Sequence, residues 1–428
     1  MLLKTRISLI ALGLCAATQA MANDQANAKG FQEDSSMKVL LRNAYIERDK
    51  KHHTKDQMQW GQGVITTFNS GFTQGTVGVG VDVFGLYAVR LDGGSGHAGG
   101  AGIDFFRRGD SGNLQHDIAR AGGAVKFRVS NTVLKYGDQM PQLPVLQYDD
   151  SRLLPESFTG TMITSNEIEG LELNAGRFTA EARKSEESRD SGLKAINVFG
   201  GSYKFNSQLS ASVYTSNVED VLRKHYLGVN YVQPIAADQS LTLDFNGYRS
   251  SLKDKYVRDA GLTGDQNTIW SLAATYAFGP HSITLAHQRS TGSTGYQYGY
   301  YQNDHGVGDG GSTIYLANSY WSDFNAEDER SWQLGYGLDF GAFGVPGLTY
   351  KIAYVRGDNI NTHGFGEGKE RELFNQIKYV VQEGPAKDLS IKVRNSILRT
   401  SNSVQRNGTY NDDGNEVRVF VEYPINVF

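Results

Sequence analysis

The sequence predicts an all-β chain folded as a single transmembrane antiparallel β-barrel of about 18 strands, with long extracellular loops folded into the lumen. Three observations carry that expectation: period-two alternation of apolar and polar residues over long strands, connections that alternate between short and long, and an export-like start followed by a Gly- and Tyr-rich chain.

The start reads as an address. Lys4 and Arg6 give a positive beginning, residues 7–17 form an apolar run too short to cross a bilayer, and Ala20-Met21-Ala22 fits a small-x-small cleavage pattern. Residues 1–22 are therefore expected to be a signal peptide, and 23–428 the barrel, starting at Asn23. A helical anchor is the alternative, disfavoured by length and by the cleavage-like tail. Cys15, the one cysteine, follows Leu14, where a lipidation site needs a small residue. It leaves with the signal, so disulfides and thiolate metal sites are excluded from the mature chain. The formal charge of −4 becomes more negative once Lys4 and Arg6 are lost, which argues against a nucleic-acid partner. No later segment carries about 18 consecutive apolar residues, as a spanning helix needs. With 50 Gly, 23 Tyr and 20 Phe but 8 Pro, two readings remain: a secreted repetitive β protein or an outer-membrane barrel.

Alternation favours the barrel. In Thr76-Val77-Gly78-Val79-Gly80-Val81-Asp82-Val83 every odd position is Val. Trp332, Leu334, Tyr336, Leu338 and Phe340 fall on one side of a strand whose other side holds Ser331, Gln333, Gly335, Gly337 and Asp339. A soluble sandwich alternates too, but these strands run about 10–14 residues, the length a tilted membrane strand requires. Strands are expected near 37–48, 57–69, 75–90, 117–130, 132–138, 161–168, 171–180, 192–205, 208–217, 223–234, 240–250, 267–278, 281–290, 331–341, 347–357, 369–382, 388–400 and 415–428. The total is even, as a barrel with both termini on one side demands. The segments 205–208, 278–281 and 383–387 read as tight periplasmic turns. The segments 91–117, 138–160, 250–266, 290–330 and 400–414 read as long outer loops. The chain ends on an alternating strand and the aromatic Phe428, the signal expected by the outer-membrane assembly machinery.

Basic residues on the polar side of strands are the candidates for function. Lys126 and Arg128 alternate with Val125, Phe127 and Val129; Lys392 and Arg394 with Ile391 and Val393; Lys38 and Arg42 with Val39 and Leu41. Lys351, Lys378 and Arg418 each lie between apolar neighbours. A charge on the lipid face near the midplane costs roughly 2–4 kcal/mol, so these should face the lumen. Any one of them can be an ordinary solvated charge. Lys378, Lys392, Arg394 and Arg418 on three successive strands read better as a positive track, suited to carboxylates. Residues 138–160 hold Pro141, Pro144 and Pro155 with Leu143, Val145, Leu146, Leu153 and Leu154, a segment too apolar and stiff for a free loop, so it is expected inside the barrel. Residues 302–325, with Asp309-Gly310-Gly311-Ser312, are the second candidate for a narrowing. Three enzyme-like matches lack context: Gly109-Asp110-Ser111-Gly112 has no protease fold signals, Gly94-Ser95-Gly96-His97-Ala98-Gly99 has no following helix, and His52-His53 are adjacent and so diverge.

Several ordered motifs then resemble the OprD family of outer-membrane channels along nearly all the mature length. They are Gly30-Phe31-Gln32-Glu33-Asp34-Ser35 leading to Leu41-Arg42-Asn43-Ala44-Tyr45, Ser70-Gly71-Phe72-Thr73-Gln74-Gly75, Leu143-Pro144-Val145-Leu146 with Asp149-Asp150-Ser151-Arg152-Leu153-Leu154-Pro155-Glu156, Ser322-Asp323-Phe324-Asn325, Glu329-Arg330-Ser331-Trp332, Gly344-Val345-Pro346-Gly347-Leu348, Tyr379-Val380-Val381-Gln382-Glu383-Gly384-Pro385, and Glu422-Tyr423-Pro424 before Phe428. The resemblance implies 18 strands, a basic ladder on the wall, a narrowing built by the third and seventh loops, and passive uptake of small carboxylate solutes without cofactor, metal or catalysis. Lys378, Lys392, Arg394 and Arg418 match ladder positions; Lys392 stands where the pattern leads one to expect Arg, a point charge in place of a planar fork. Tyr148, Asp149, Ser312 and Tyr315 are expected at the eyelet. Expected partners are carboxylate solutes, outer-membrane lipid and lipopolysaccharide, and the assembly machinery at Phe428. Whether the solute is a basic amino acid or an aromatic acid stays open, because Asp149, Asp150 and Asp309 could face a basic group. A barrel-embedded hydrolase, needing a Ser–His pair near the outer rim, and a non-transporting structural barrel are the alternatives.

Overall fold

The computed structural model describes residues 25–52, 54–92, 102–109, 113–303, 306–408, 410 and 413–428. The expected signal at 1–22, His53, the 94–99 motif and Asp110-Ser111-Gly112 lie outside them. Eighteen antiparallel strands follow one another around the wall: β1 (Ser36–Lys50), β2 (Gln57–Asn69), β3 (Gly78–Asp92), β4 (Asp117–Val129), β5 (Thr132–Gln139), β6 (Ser157–Ile168), β7 (Leu171–Ala182), β8 (Ile196–Lys204), β9 (Leu209–Val218), β10 (Leu222–Ala236), β11 (Gln239–Leu252), β12 (Gln266–Phe278), β13 (His281–Gly292), β14 (Arg330–Asp339), β15 (Leu348–Ile360), β16 (Gly368–Val380), β17 (Ser390–Thr400) and β18 (Gly414–Asn426). β1 pairs with β2 on one edge and with β18 on the other, from Lys38↔Asn426 to Lys50↔Gly414. The sheet is closed, so every wall strand has two neighbours and no edge is left for lipid to meet. No helix among the described residues is long and apolar enough to cross a membrane.

The burial pattern is that of a membrane barrel and not of a sandwich. On β14, Trp332 and Leu334 are 63% and 58% exposed, while Ser331 and Gln333 are at 0% and 4%. The apolar row faces outward, where lipid solvates it, and the polar row faces a filled interior. Strand edges differ from the sequence reading where local hydrogen bonds decide them. β6 begins at Ser157 because Ser157 and Phe158 already pair with Ala182 and Glu181. β8 begins at Ile196 because Asp190 accepts from the N–H groups of Gly192 and Leu193 and holds that stretch in a turn. β14 stops at Asp339, whose carboxylate accepts from the Gly341 N–H at 2.8 Å and caps a short 3₁₀ turn.

Connections at one end are short, as at Ser130-Asn131 and Gly279-Pro280. The other end carries the loops L1 (51–56), L2 (93–116), L3 (140–156), L4 (183–195), L5 (219–221), L6 (253–265), L7 (293–329), L8 (361–367) and L9 (401–413). L3 turns into the lumen, as its composition predicted. Its first half, Leu143, Val145 and Leu146, packs with Leu193 of L4 and Tyr296, Tyr301 and Leu316 of L7 against the inner faces of β6–β12. Its second half, Leu153 and Leu154, joins Ile103, Phe105 and Phe106 of L2 against β1–β4. Each fully buried Leu or Phe contributes about 1.5–3 kcal/mol, so L3 is pinned at both ends. The wall makes room for it: a Cβ at Gly61 of β2 would lie 2.5 Å from Leu153 Cδ2.

Candidate functional site: the constriction and its cationic wall

Antiparallel register places the predicted cations. Lys351 (β15) stands opposite Gln376 (β16), Gln376 opposite Arg394 (β17), and Arg394 opposite Arg418 (β18). One inward position nearer the short-turn end, about 7 Å along each strand, Lys378 is paired with Lys392 and Lys392 with Phe420. Aromatic faces hold three of these groups: Lys351 Nζ lies 5.2 Å from the Tyr320 ring, Lys392 Nζ 5.0 Å from Phe420, and Arg394 Cζ 5.0 Å from Phe374. A ring quadrupole orients a cation without neutralising it. Among the described residues, Lys351, Lys378, Lys392 and Arg394 take no carboxylate partner.

The other predicted cations are engaged. Arg418 shares Glu416 with Arg48, whose Nε lies 2.7 Å from that carboxylate. Arg42 reaches Asp150 of L3 and Glu422 of β18, both at 2.7 Å, and also donates to the Arg152 carbonyl. Lys126 and Arg128 stand apart, on β4 near the short turns. Lys126 binds Asp82 at 2.6 Å and the Ser70 carbonyl; Arg128 donates to Gln25 Oε1 at 2.9 Å over the Phe72 ring. Arg128 ties the N-terminal segment to the wall, and Lys126 ties the β2–β3 connection to it.

The loop side of the narrowing is a hydrogen-bonded lattice. Tyr248 of β11 donates to the Pro144 carbonyl at 2.9 Å and accepts from the Tyr315 N–H at 3.0 Å, joining L3 to L7. Tyr315 in turn donates to Gln147 Oε1 at 2.6 Å. The Tyr148 hydroxyl accepts from Gln142, and Ser312 bonds the Tyr300 hydroxyl. Asp149 is not an open eyelet carboxylate: it accepts from the Ser151 N–H at 2.7 Å and from Lys184 at 2.9 Å. Lys184, in L4, also meets Asp309 of L7 at 2.7 Å and Glu156 of L3 at 3.5 Å. The carboxylate oxygens of Asp149, Glu156 and Asp309 lie within 4.8 Å of one another, a set that could hold a hard cation, but the ammonium of Lys184 already stands against all three. Burial opposes the Lys184 charge, yet Asp309, Glu156 and Asp149 outweigh it and raise its pKa well above the ordinary value. Burial would likewise raise Asp309, but Lys184 holds it down at about 2. Burial and the neighbouring Asp309 push Glu156 well up. Arg152 of L3, donating to the carbonyls of Ile103 and Gly102, is a further positive group beside the wall, although burial and nearby Arg418 lower its pKa.

The model of the outer membrane porin, OprD family, matches residues 29–427. The chain belongs to the OprD family. It is 43% identical to Porin D of Pseudomonas aeruginosa over 96% of this chain and 95% of that one. It superimposes on Acinetobacter baumannii OccAB1 with a TM-score of 0.87 at 40% identity, covering 95% of this chain and 100% of that one. A structure of P. aeruginosa OpdK with vanillate matches at 30% identity and TM-score 0.79, covering 93% and 100%. This OprD-family protein is therefore a porin of the Gram-negative outer membrane, a channel for small solutes and not an enzyme. Sequence reading of this member missed Lys184, Arg152 as a wall-side cation, and Arg48. For Lys184 a signal exists in the charge-dense Glu181-Ala182-Arg183-Lys184-Ser185-Glu186-Glu187, which is unusual for a connection that must leave a barrel wall.

Proposed function

We propose that the channel selects small carboxylate-bearing solutes, which pass the L3–L7 narrowing and move along Lys351, Arg394, Lys378 and Lys392. The observation that carries the reading is the pair of adjoining register rows in which these four cations lack a carboxylate. Arg394 offers a planar fork to a carboxylate and the lysines offer point charges. In a wet lumen each contact is weak, and a series of weak sites lets a solute enter and leave again. Arg418 and Arg48 leave the surrounding potential positive, since Glu416 is one carboxylate shared by their two guanidiniums, and Arg152 adds to it, whereas Arg42 is balanced by Asp150 and Glu422. Tyr148, Ser312 and Tyr315 supply polar groups on the opposite side. Lys126, Arg128 and Asp149, already engaged, take no direct part. Vanillate, named with OpdK, is an aromatic carboxylate and supports the same class. Export with removal of residues 1–22 belongs to this reading.

The test is Lys392→Ala with Arg394→Ala. Two half-buried charge contacts in a wet lumen, of up to about 1 kcal/mol each, give about a tenfold fall in benzoate permeability relative to a neutral sugar in liposome swelling. Organic-anion conductance should fall in parallel while the barrel keeps its resistance to heat in detergent. Unchanged benzoate uptake would remove the ladder.

A further inference from the structure

The outward face carries a second, unrelated array of arginines. It lies at the long-loop end of β10–β17, above the lipid-facing apolar rows. Register makes these groups direct cross-strand neighbours: His225 faces Arg249, Arg289 faces Arg330, and Arg356 faces Arg371, which faces Arg399. Arg330 is paired with Asp358, and Arg399 donates to Asn415 and the Gly414 carbonyl. Arg249, Arg289, Arg356 and Arg371 are exposed and have no ion pair among the described residues. Like charges set directly opposite on a sheet destabilise it unless an anion lies between them. The opposite arc differs in sign: the outward groups at the same level of β1, β3 and β4 are Glu47, Asp92 and Asp117. The array is thus a feature of half the circumference and not a general basic collar.

Directly beneath Arg249 the wall has a groove of about 440 Å³ bordered by Leu227, Phe245 and Trp270. It exists because Gly247, the next outward residue on β11, has no side chain between the Phe245 and Trp270 rings, whose centroids are 6.3 Å apart. An apolar slot facing acyl chains, capped by unneutralised guanidiniums at headgroup height, is complementary to one kind of molecule: a phosphorylated, multiply acylated lipid of the outer leaflet. Guanidinium forks match phosphate bidentately.

We infer that the β10–β17 arc is a docking site for lipid A, with its phosphates on Arg289, Arg356 and Arg371 and an acyl chain in the Gly247 groove. The full chain in detergent, titrated with lipid A and followed by native mass spectrometry, tests this. Diphosphoryl lipid A should bind at least about tenfold tighter than its dephosphorylated form, and EDTA should not release it. Arg289→Gln, Arg356→Gln and Arg371→Gln together should weaken it about 100-fold. Gly247→Leu should weaken binding while leaving the preference for phosphate intact. Should the triple glutamine variant fail to fold, the triple lysine variant keeps the charge and loses the fork, and a loss of several-fold is expected. Equal binding by the variants, no preference for phosphate, or release by EDTA would overturn the inference.

Discussion

The cationic wall and the Lys184 knot are built from the same residue types and do opposite things. On the wall, Lys351, Lys378, Lys392 and Arg394 stand against aromatic rings or open lumen and, among the described residues, form no ion pair with a carboxylate. In the knot one ammonium is enclosed by Asp149, Glu156 and Asp309, drawn from two other loops. A cation left unneutralised in water remains available to a passing anion. A cation enclosed by carboxylates is a fastener, and its worth lies in the order it imposes on L3, L4 and L7. Arg418 lies between these cases, beside the wall but sharing Glu416 with Arg48.

The largest break of the contrast comes from Lys184→Met. The Asp149 and Asp309 carboxylates lose their counter-charge, and Glu156 loses a hydrogen-bond partner, at a local cost of about 3–5 kcal/mol. The eyelet should loosen while the barrel, whose ladder is untouched, keeps its heat resistance. Single-channel noise and conductance should rise, and the benzoate-over-sugar preference should fall. A channel with wild-type noise and selectivity would mean that the knot does not hold the narrowing.

Acid gives a graded version of the same break. A carboxylate with a depressed pKa stabilises the folded state above its unfolded pKa, and that contribution is lost as pH falls through the folded value. Asp309, held at about 2 by Lys184 against the cost of burial, should keep the knot closed down to about pH 4 and release it between about 4 and 2. Glu156 has the opposite sign. Its raised pKa favours the protonated form, so its contribution is lost as pH rises through that value. Planar-bilayer gating recorded stepwise from pH 7 to 3 reads the lower limit; onset of gating well above pH 4 would contradict it.

The smallest effect sharpens the contrast from the wall side. Glu416→Gln frees both Arg48 and Arg418 and turns a fastened pair into two available cations. Anion-over-cation permeability should rise about two- to threefold, measured as a reversal potential in a salt gradient. No change would mean that Arg418 does not contribute to the field of the pore.

Much of this was legible beforehand because it is local. Strand alternation has a period of two, so the outward row of Val, Leu and Trp and the inward Lys378, Lys392 and Arg394 follow from neighbours in the chain. The inward course of L3 followed from three prolines among buried leucines. The partners were not legible. Arg42 meets Asp150 at a separation of 108 residues and Glu422 at 380, and Lys184 meets Asp309 at 125. Alternation gives the side of the wall on which a charge lies and carries no information about which loop folds over it.

By itself the sequence determined a closed barrel of eighteen strands, its oily outside, its wet inside and the wall on which cations gather, since each is a consequence of short-range periodicity and the need to pair every backbone group in lipid. Only the tertiary structure decided which cations are free and which are locked, and that L4 contributes the lock. Those outcomes depend on loops from distant parts of the chain competing for the same few charges inside one narrow lumen.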